Sequence, residues 1–270
     1  MFAYLEILRP LNGLMASLAV LISAILVSFF SPFQLFLACL AVFLISGAGM
    51  AINDYFDYKV DKVNKPKRPI PSGRILRRNA LIYSFSLFFI ANTITLIFLN
   101  FQMFILSVLN SICLVLYSWK LKKLPLLGNF CVSWFVASTF IFGSLLSKTI
   151  TLTIFILFLM AFSANVGREI AKSIEDIKGD KKANIKSLPI VAGKSFSALV
   201  ASIFVMFAVI FSPLPYIFGL LNVHYLYLVI VADALFAFSC FTTFLSPYKS
   251  QKIMKLAMVI ALFSFLIGSI

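Results

Sequence analysis

Three aspartates and an asparagine crowd into nine positions of a chain that is otherwise poor in acids. Asp54, Asp57 and Asp61 are spaced three and four residues apart, and Asn53 precedes Asp57 by four. On a helix these spacings put the side chains on one face. Carboxylates this close repel one another unless a cation is present, and an oxygen-only set without His or Cys favours Mg²⁺ or Mn²⁺ over zinc. The segment predicts a metal site; the competing interpretation is a solvated helix end paired with the lysines that follow.

A second acidic cluster lies about 120 residues further on. Glu169, Ser173, Asp176 and Asp180 follow a helical spacing that again defines one face. Gly179 is a helix breaker, which would place Asp180 on a turn. With Glu175, which points away from this face, the two clusters contain seven of the nine acidic residues in the chain. Two such clusters indicate more strongly than one that acids of both contribute to a metal site.

A basic loop with three prolines follows the first cluster directly, with the sequence NKPKRPIPSGR over residues 64–74. Proline lowers the entropy lost when a loop is ordered, which helps if cations must hold a phosphate in fixed geometry. Lys65, Arg68 and Arg74 are therefore predicted to bind substrate phosphate. The alternative is a loop whose positive charge only contacts lipid headgroups.

The elements that carry these residues are transmembrane helices. Hydrophobic residues make up 62% of the 270 and the mean hydropathy is +1.05, a composition that excludes a soluble globular domain. We expect an all-α polytopic membrane protein forming a single domain over residues 1–270. The nine predicted spans are residues 10–30, 34–53, 80–99, 101–118, 127–147, 150–168, 196–216, 222–245 and 252–270.

The distribution of charge predicts the orientation in the membrane. With nine spans, 22 of the 23 basic residues fall in the N-terminal segment and the even-numbered loops, and only Lys148 lies on the other face. The positive-inside rule then places the N-terminus and both acidic clusters in the cytoplasm, and the C-terminus outside. The net charge of +14 indicates lipid headgroups and phosphorylated substrates, and not nucleic acid, as partners. The clusters follow spans two and six, which suggests a parallel repeat of four-helix units.

Five motifs, in one order over most of the chain, resemble the UbiA superfamily of intramembrane prenyltransferases. They are RPLNGLM (9–15), NDYFDYKVD (53–61), NKPKRPIPSG (64–73), YSWKLKKLPLLGN (117–129) and REIAKSIEDIKGD (168–180). The resemblance implies nine helices around a central lipid-accessible cavity, in which two Asp-rich motifs on the cytoplasmic face bind Mg²⁺ and a diphosphate. The metal-binding and catalytic residues are then Asp54, Asp57, Asp61, Asp176 and Asp180. Ser173 departs from the family, which often has Asp there, and Glu169 or Glu175 would have to compensate.

Substrate binding is expected from residues matched by the resemblance and from nearby cations. The matched residues are Asn12, Asn53, Tyr117 and Lys122. The added cations, for an acceptor phosphate, are Lys120, Lys122 and Lys172.

Within the superfamily the chain is most similar to the archaeal digeranylgeranylglyceryl phosphate synthases, in its length, its KPKRPIPSG loop and its EDIKGD run. The implied reaction is Mg²⁺-dependent transfer of a geranylgeranyl group from geranylgeranyl diphosphate to the free hydroxyl of geranylgeranylglyceryl phosphate, giving an ether lipid precursor. One alternative is prenyl transfer to an aromatic, quinone or haem acceptor. Another, from a different class, is a cation-coupled transporter, although its carboxylates should lie near the midplane and not cluster on one face. No obligate protein partner is expected.

Overall fold

The computed structural model describes residues 2–182 and 184–269, and the side chains within them except those of Val63 and Asn64. All regular elements in this part of the chain are helices. They are α1 (Phe2–Leu8), α2 (Pro10–Leu26), α3 (Pro32–Phe56), α4 (Tyr58–Asn64), α5 (Arg77–Phe98), α6 (Phe101–Trp119), α7 (Leu127–Ser144), α8 (Leu152–Glu175), α9 (Ile177–Lys182), α10 (Leu188–Val191), α11 (Lys194–Phe211), α12 (Leu214–Ile217), α13 (Val223–Leu245) and α14 (Pro247–Gly268), with 3-10 turns at Leu121–Lys123 and Leu145–Ser147.

Long apolar helices confirm the predicted membrane fold. Among the described residues, eight helices are long and apolar enough to cross a membrane, and α1 with α2 makes a ninth if the pair, bent by 52°, is a single span. The first span thus differs from the prediction, because a helical turn precedes Arg9 and the chain bends there. The ninth helix ends at Gly268, and its predicted end at Ile270 lies outside the described residues.

The chain divides into two compact units, Met1–Leu121 with Phe142–Thr149 and Lys122–Ile141 with Ile150–Ile270, called unit 1 and unit 2 below. In unit 1, α3 packs against α2, α5 and α6. In unit 2, α8 packs closely against α11, since a Cβ at Gly167 would come within 2.7 Å of the Ala201 carbonyl oxygen. The single domain over residues 1–270 stays a prediction.

In unit 1 the connections of odd number contact one another, as expected when successive helices cross a membrane in alternate directions. Asn100 donates to the Leu145 carbonyl at 2.7 Å, and Ser147 donates to the Val27 carbonyl at 3.3 Å. These bonds join the first, third and fifth connections. The second connection contacts the N-terminal helix instead, through Arg74 and Glu6. On which side of the membrane each set lies stays a prediction.

Unit 2 has the same grouping. The Lys186 N–H donates to the Lys123 carbonyl at 3.1 Å, which joins the sixth and fourth connections. The Asn222 N–H donates to the Gly268 carbonyl at 3.1 Å, which joins the seventh connection to the end of α14. In unit 2 the fourth and sixth connections are therefore joined to each other, and the seventh is joined to the end of α14.

Cysteine labelling tests the sidedness of unit 1. In a variant whose native cysteines are replaced by serine, we expect Lys67→Cys and Lys148→Cys to react with a membrane-impermeant maleimide from opposite sides of sealed vesicles, because an odd number of spans separates them. Gel-shift labelling before and after permeabilisation measures this. Labelling of both positions from the same side would contradict the nine-span topology.

Candidate functional site

The first acidic cluster lies on a helix that continues through the junction of α3 and α4. The Asp57 N–H donates to the Asn53 carbonyl at 2.9 Å, and the Asp61 N–H donates to the Asp57 carbonyl at 2.8 Å. Asp57, the junction residue, has φ −82° and ψ 2°, in the sparsely populated bridge region where many active-site residues lie. The Asn53 side chain donates to the Asp57 carboxylate at 2.9 Å. The helical hydrogen bonds of α3 therefore continue past Phe56 into α4, with a break in backbone angles at Asp57.

Two arginines hold the other acids of this cluster. Arg9 Nη2 lies 2.6 Å from Asp54 Oδ1, and Arg68 Nη1 lies 3.1 Å from the same oxygen. Arg68 Nη1 also lies 2.5 Å from Asp61 Oδ2. Asp54 is only 2% exposed and Asp61 only 4%. A buried carboxylate without such partners would carry a large desolvation cost. The two arginines offset this cost for Asp54 and Asp61.

Arg9 reaches Asp54 because the chain bends sharply before α2. Its backbone is left-handed, with φ 49° and ψ 65°, and Pro10 opens the helix that follows. The Arg9 carbonyl accepts from the Asn12 N–H at 2.9 Å, and its side chain also donates to Met50 Sδ at 3.3 Å. Sequence reasoning counted Arg9 among the cytoplasmic charges and missed it as a site residue. The signal was an arginine directly before the proline that begins a span.

The proline-rich loop positions Arg68 by turns of its own backbone. The Ser72 N–H donates to the Arg68 carbonyl at 3.0 Å, and the Ser72 hydroxyl donates to the same oxygen at 2.7 Å. Ile70 and Ile75 are 3% and 2% exposed and anchor the loop. Gly73 turns the chain between them with a positive φ of 78°, which favours glycine. Arg68 is therefore held by its own loop as well as by two carboxylates.

Arg74, also predicted to bind phosphate, lies on the exposed side of this loop. Its guanidinium donates to both carboxylate oxygens of Glu6, at 2.5 and 2.9 Å, and to the Lys67 carbonyl at 2.6 Å. The hydrogen bond with Glu6 raises the pKa of Arg74 above its ordinary value, so it remains charged at any physiological pH. These contacts connect the loop to α1; phosphate binding by Arg74 stays a prediction.

The second acidic cluster repeats the backbone geometry of the first. The Asp176 N–H donates to the Lys172 carbonyl at 3.0 Å, and the Asp180 N–H donates to the Asp176 carbonyl at 2.9 Å. Asp176 joins α8 to α9 with φ −82° and ψ 3°. Gly179 lies inside α9, so the expected turn before Asp180 is wrong; the helical bonds run past this glycine. Asp176 and Asp180 are both half-buried.

Glu169 is held by cations. It is 8% exposed, accepts from Arg168 at 2.8 Å, and lies 3.5 Å from Lys172 Nζ. The Ser173 hydroxyl donates to the Glu169 carbonyl at 2.9 Å and accepts from Asn129 at 3.4 Å. Asn129 is thus a further residue of this cluster that sequence reasoning did not select.

The other predicted residues lie at helix ends or in connections. Asn12 is half-buried in the first turns of α2, and Tyr117 is half-buried near the end of α6. Lys65 and Lys120 are exposed, and Lys122 is half-buried in a 3-10 turn of unit 2. Their roles toward a substrate stay predictions.

The carboxylates suit a metal that is shared with a ligand. Among the described residues, no group of three or more His, Cys, Asp and Glu side chains converges as a metal site. Mg²⁺ keeps several waters and is commonly held by one or two carboxylates together with substrate phosphates. Asp57, beside the Asn53 amide, and the pair Asp176 and Asp180 offer oxygen donors of this kind. The residues present therefore fit Mg²⁺ that binds with a diphosphate.

The fold and the two Asp-rich clusters define a class of intramembrane enzyme. The UbiA prenyltransferase family matches residues 14–266, and the chain belongs to this family.

The chain is similar to named members along its whole length. It is 39% identical over 272 residues to the digeranylgeranylglyceryl phosphate synthase of Methanosphaera stadtmanae, with 99% of each chain covered. A solved structure of a digeranylgeranylglyceryl phosphate synthase has a TM-score of 0.81 at 36% identity, covering 99% of this chain and 97% of the other. A UbiA homologue from Archaeoglobus fulgidus, bound to DMAPP and Mg²⁺, has the same fold, with a TM-score of 0.69 at 19% identity and coverage of 97% and 98%.

Removal of Asp54 should destabilise unit 1 more than removal of Asp57. Asp54→Ala leaves two arginines without their shared counter-ion, and loss of hydrogen bonds to charged groups costs about 2 kcal/mol, moderated here because both guanidinium groups are partly exposed. Asp57 is half-buried, so Asp57→Ala is the matched control. Thermal unfolding in detergent measures both variants. An equal loss of Tm in the two would contradict the counter-ion role of Asp54.

Proposed function

We propose that this protein transfers a geranylgeranyl group from geranylgeranyl diphosphate to the free hydroxyl of geranylgeranylglyceryl phosphate. The observation that carries the proposal is the full-length similarity to the Methanosphaera stadtmanae synthase. The site supports it, because carboxylates and guanidinium groups at the end of an apolar helix suit a ligand with a diphosphate head and a hydrocarbon tail.

The chain's own residues would bind and orient the diphosphate. Bound Mg²⁺ supplies positive charge that stabilises the diphosphate as it leaves. Asp57 and Asp61 of the first cluster, and Asp176 and Asp180 of the second, are the proposed ligands. Arg68, fixed by its loop, would donate hydrogen bonds to the phosphate oxygens on which charge develops.

Transfer then needs only an oriented acceptor. The allylic C–O bond to diphosphate breaks, the acceptor oxygen bonds to C1, and the hydroxyl proton leaves with the product diphosphate or solvent. An alcohol that attacks a cation-like carbon needs little help from a base, so a catalytic histidine is not required. The acceptor's phosphate calls for cations of its own, for which we propose Lys120, Lys122 and Lys172 together with the neighbouring loops.

The proposed orientation places the first acidic cluster at the cytoplasmic surface. The N-terminal segment and the second connection contact each other through Glu6 and Arg74 and carry most of the basic residues of unit 1, as cytoplasmic segments do. The labelling of Lys67→Cys and Lys148→Cys, done with vesicles of known orientation, checks this.

The reaction itself is testable in one incubation. Purified protein with geranylgeranyl diphosphate, Mg²⁺ and geranylgeranylglyceryl phosphate should yield digeranylgeranylglyceryl phosphate, detected by mass spectrometry. Excess EDTA should stop turnover, because departure of the diphosphate then lacks stabilisation by the metal. Aromatic and quinone precursors in the same incubation serve as competing acceptors. Product on an aromatic acceptor alone would favour the other branch of the family, and cation flux into liposomes without any product would favour a transporter.

Two carboxylates at equivalent junctions should be needed for this reaction. Asp57→Ala and Asp176→Ala should each lower kcat/KM at least about 100-fold, as expected when a charged group acting in the transition state is removed, while the Tm stays near that of the parent. Glu175→Gln is the matched control, because Glu175 is exposed beside Asp176 and accepts a hydrogen bond from the Gln251 amide at 3.4 Å. Full activity in either alanine variant would refute the proposed metal ligands.

A further inference from the structure

We propose that Arg9 is a second guanidinium for the diphosphate, and that Asp54 is the positioning residue that aligns it with Arg68. This inference rests on the proposed prenyl diphosphate chemistry, but it concerns the anion site and not the acceptor. It changes the role of Asp54 from metal ligand to the shared anchor of two arginines.

The geometry joins the two guanidinium groups into one unit. Both contact the same oxygen, Oδ1 of Asp54, at 2.6 and 3.1 Å. The two nitrogens are therefore at most 5.7 Å apart, the two distances added. Oxygens of one phosphate or of adjacent phosphates can bridge such a spacing, and planar guanidinium forks bind phosphate well.

Each arginine keeps N–H groups for another ligand. A guanidinium has five N–H donors, and Arg68 makes both of its ion pairs through Nη1 alone. Arg9 contacts Asp54 through Nη2 and Met50 through Nη1. The side chain of Arg9 is 33% exposed and that of Arg68 is 21% exposed. Asp54, at 2% exposed, is instead enclosed by its partners.

Charge balance separates the roles of the three aspartates. Arg9 and Arg68 form ion pairs with Asp54 and Asp61, whereas the Asp57 carboxylate accepts from the neutral Asn53 amide. A cation is attracted to Asp57, and an anion is attracted to the cation and to the arginines beside it. Bringing two guanidinium groups together costs free energy by like-charge repulsion, which an anionic ligand relieves.

The backbone of Arg9 supports a functional role. A non-glycine residue in the left-handed region carries backbone strain, and such residues cluster at ligand sites. The conformation is unusual also because Pro10 follows, since proline restricts the residue before it. The bend directs the side chain to Asp54 of α3 instead of continuing a straight helix from α1 to α2.

Binding of inorganic pyrophosphate, measured by titration calorimetry on the purified protein, tests the proposal without any turnover. Arg9→Met should weaken pyrophosphate binding about 10–100-fold, the effect of losing hydrogen bonds to a charged group. Arg9→Lys, which keeps the charge and loses the fork, should lie between Arg9→Met and the parent. Lys249→Met is the matched control, because it removes an exposed positive charge, and it should stay within about twofold of the parent.

Asp54→Asn gives the sharper result, because the direction in which it changes pyrophosphate affinity distinguishes an Asp54 that only repels the anion from an Asp54 that aligns the arginines. Removal of a negative charge should tighten anion binding if Asp54 only repels the ligand. If Asp54 aligns the arginines, Asp54→Asn weakens pyrophosphate binding, and the loss persists in EDTA, where a metal ligand would no longer matter. Parent-like affinity in Arg9→Met, tighter binding by Asp54→Asn in EDTA, or no measurable pyrophosphate binding by the parent would each overturn the proposal.

The outcomes separate this inference from the proposed function. Pyrophosphate binding that depends on Arg9 without transfer to geranylgeranylglyceryl phosphate would refute the acceptor and retain the anion site. Transfer with Arg9-independent binding would refute only the role of Arg9. If Arg9→Met is not monodisperse and folded by thermal unfolding, Arg9→Lys and Asp54→Asn decide by the same criteria.

Discussion

Unit 1 depends on one carboxylate oxygen that two arginines share near the end of an apolar helix. Asp54 is nearly enclosed, and a lone charge there would be expensive. Its two partners come from opposite sides in sequence, Arg9 before the first long helix and Arg68 from the loop after the acidic cluster. A single ion-pair cluster thus joins the N-terminal bend, α3 and the proline-rich loop, and it holds in place the two arginines that we propose bind a diphosphate.

Helical spacing explains why the chemistry lies where it does. Asp57 and Asp176 each follow a long helix, have nearly the same φ and ψ, and are followed four residues later by another aspartate. A helix that crosses a membrane must end at the polar surface. A shallow break at that end keeps the acids before and after it on one helical face while the later ones reach water. The repeated geometry supports the parallel repeat that the positions of the clusters suggested.

The sequence was sufficient for the spans and for the acidic clusters because both follow from periodicity and composition, which are local. It was insufficient for the partners of those acids. Arg9 and Asp54 are separated by 45 positions, and no local pattern links them. The turn predicted at Gly179 was wrong for a related reason. The low helix propensity of one glycine costs less free energy than the helical hydrogen bonds that continue α8 into α9 contribute.

The two units place buried acids and accessible acids in the same order. Asp54 and Glu169, which lie in the long helices before the breaks, are buried and form ion pairs with cations. Asp57 and Asp176, at the breaks that follow, are half-buried. A buried acid needs a cationic partner, because an unpaired charge in a low dielectric carries a large desolvation cost. A metal that arrives with its substrate needs instead a carboxylate that water and ligand can reach. We therefore propose that Asp54 and Glu169 align cations, and that the metal binds at the breaks with Asp57 and Asp176 and the aspartates that follow them.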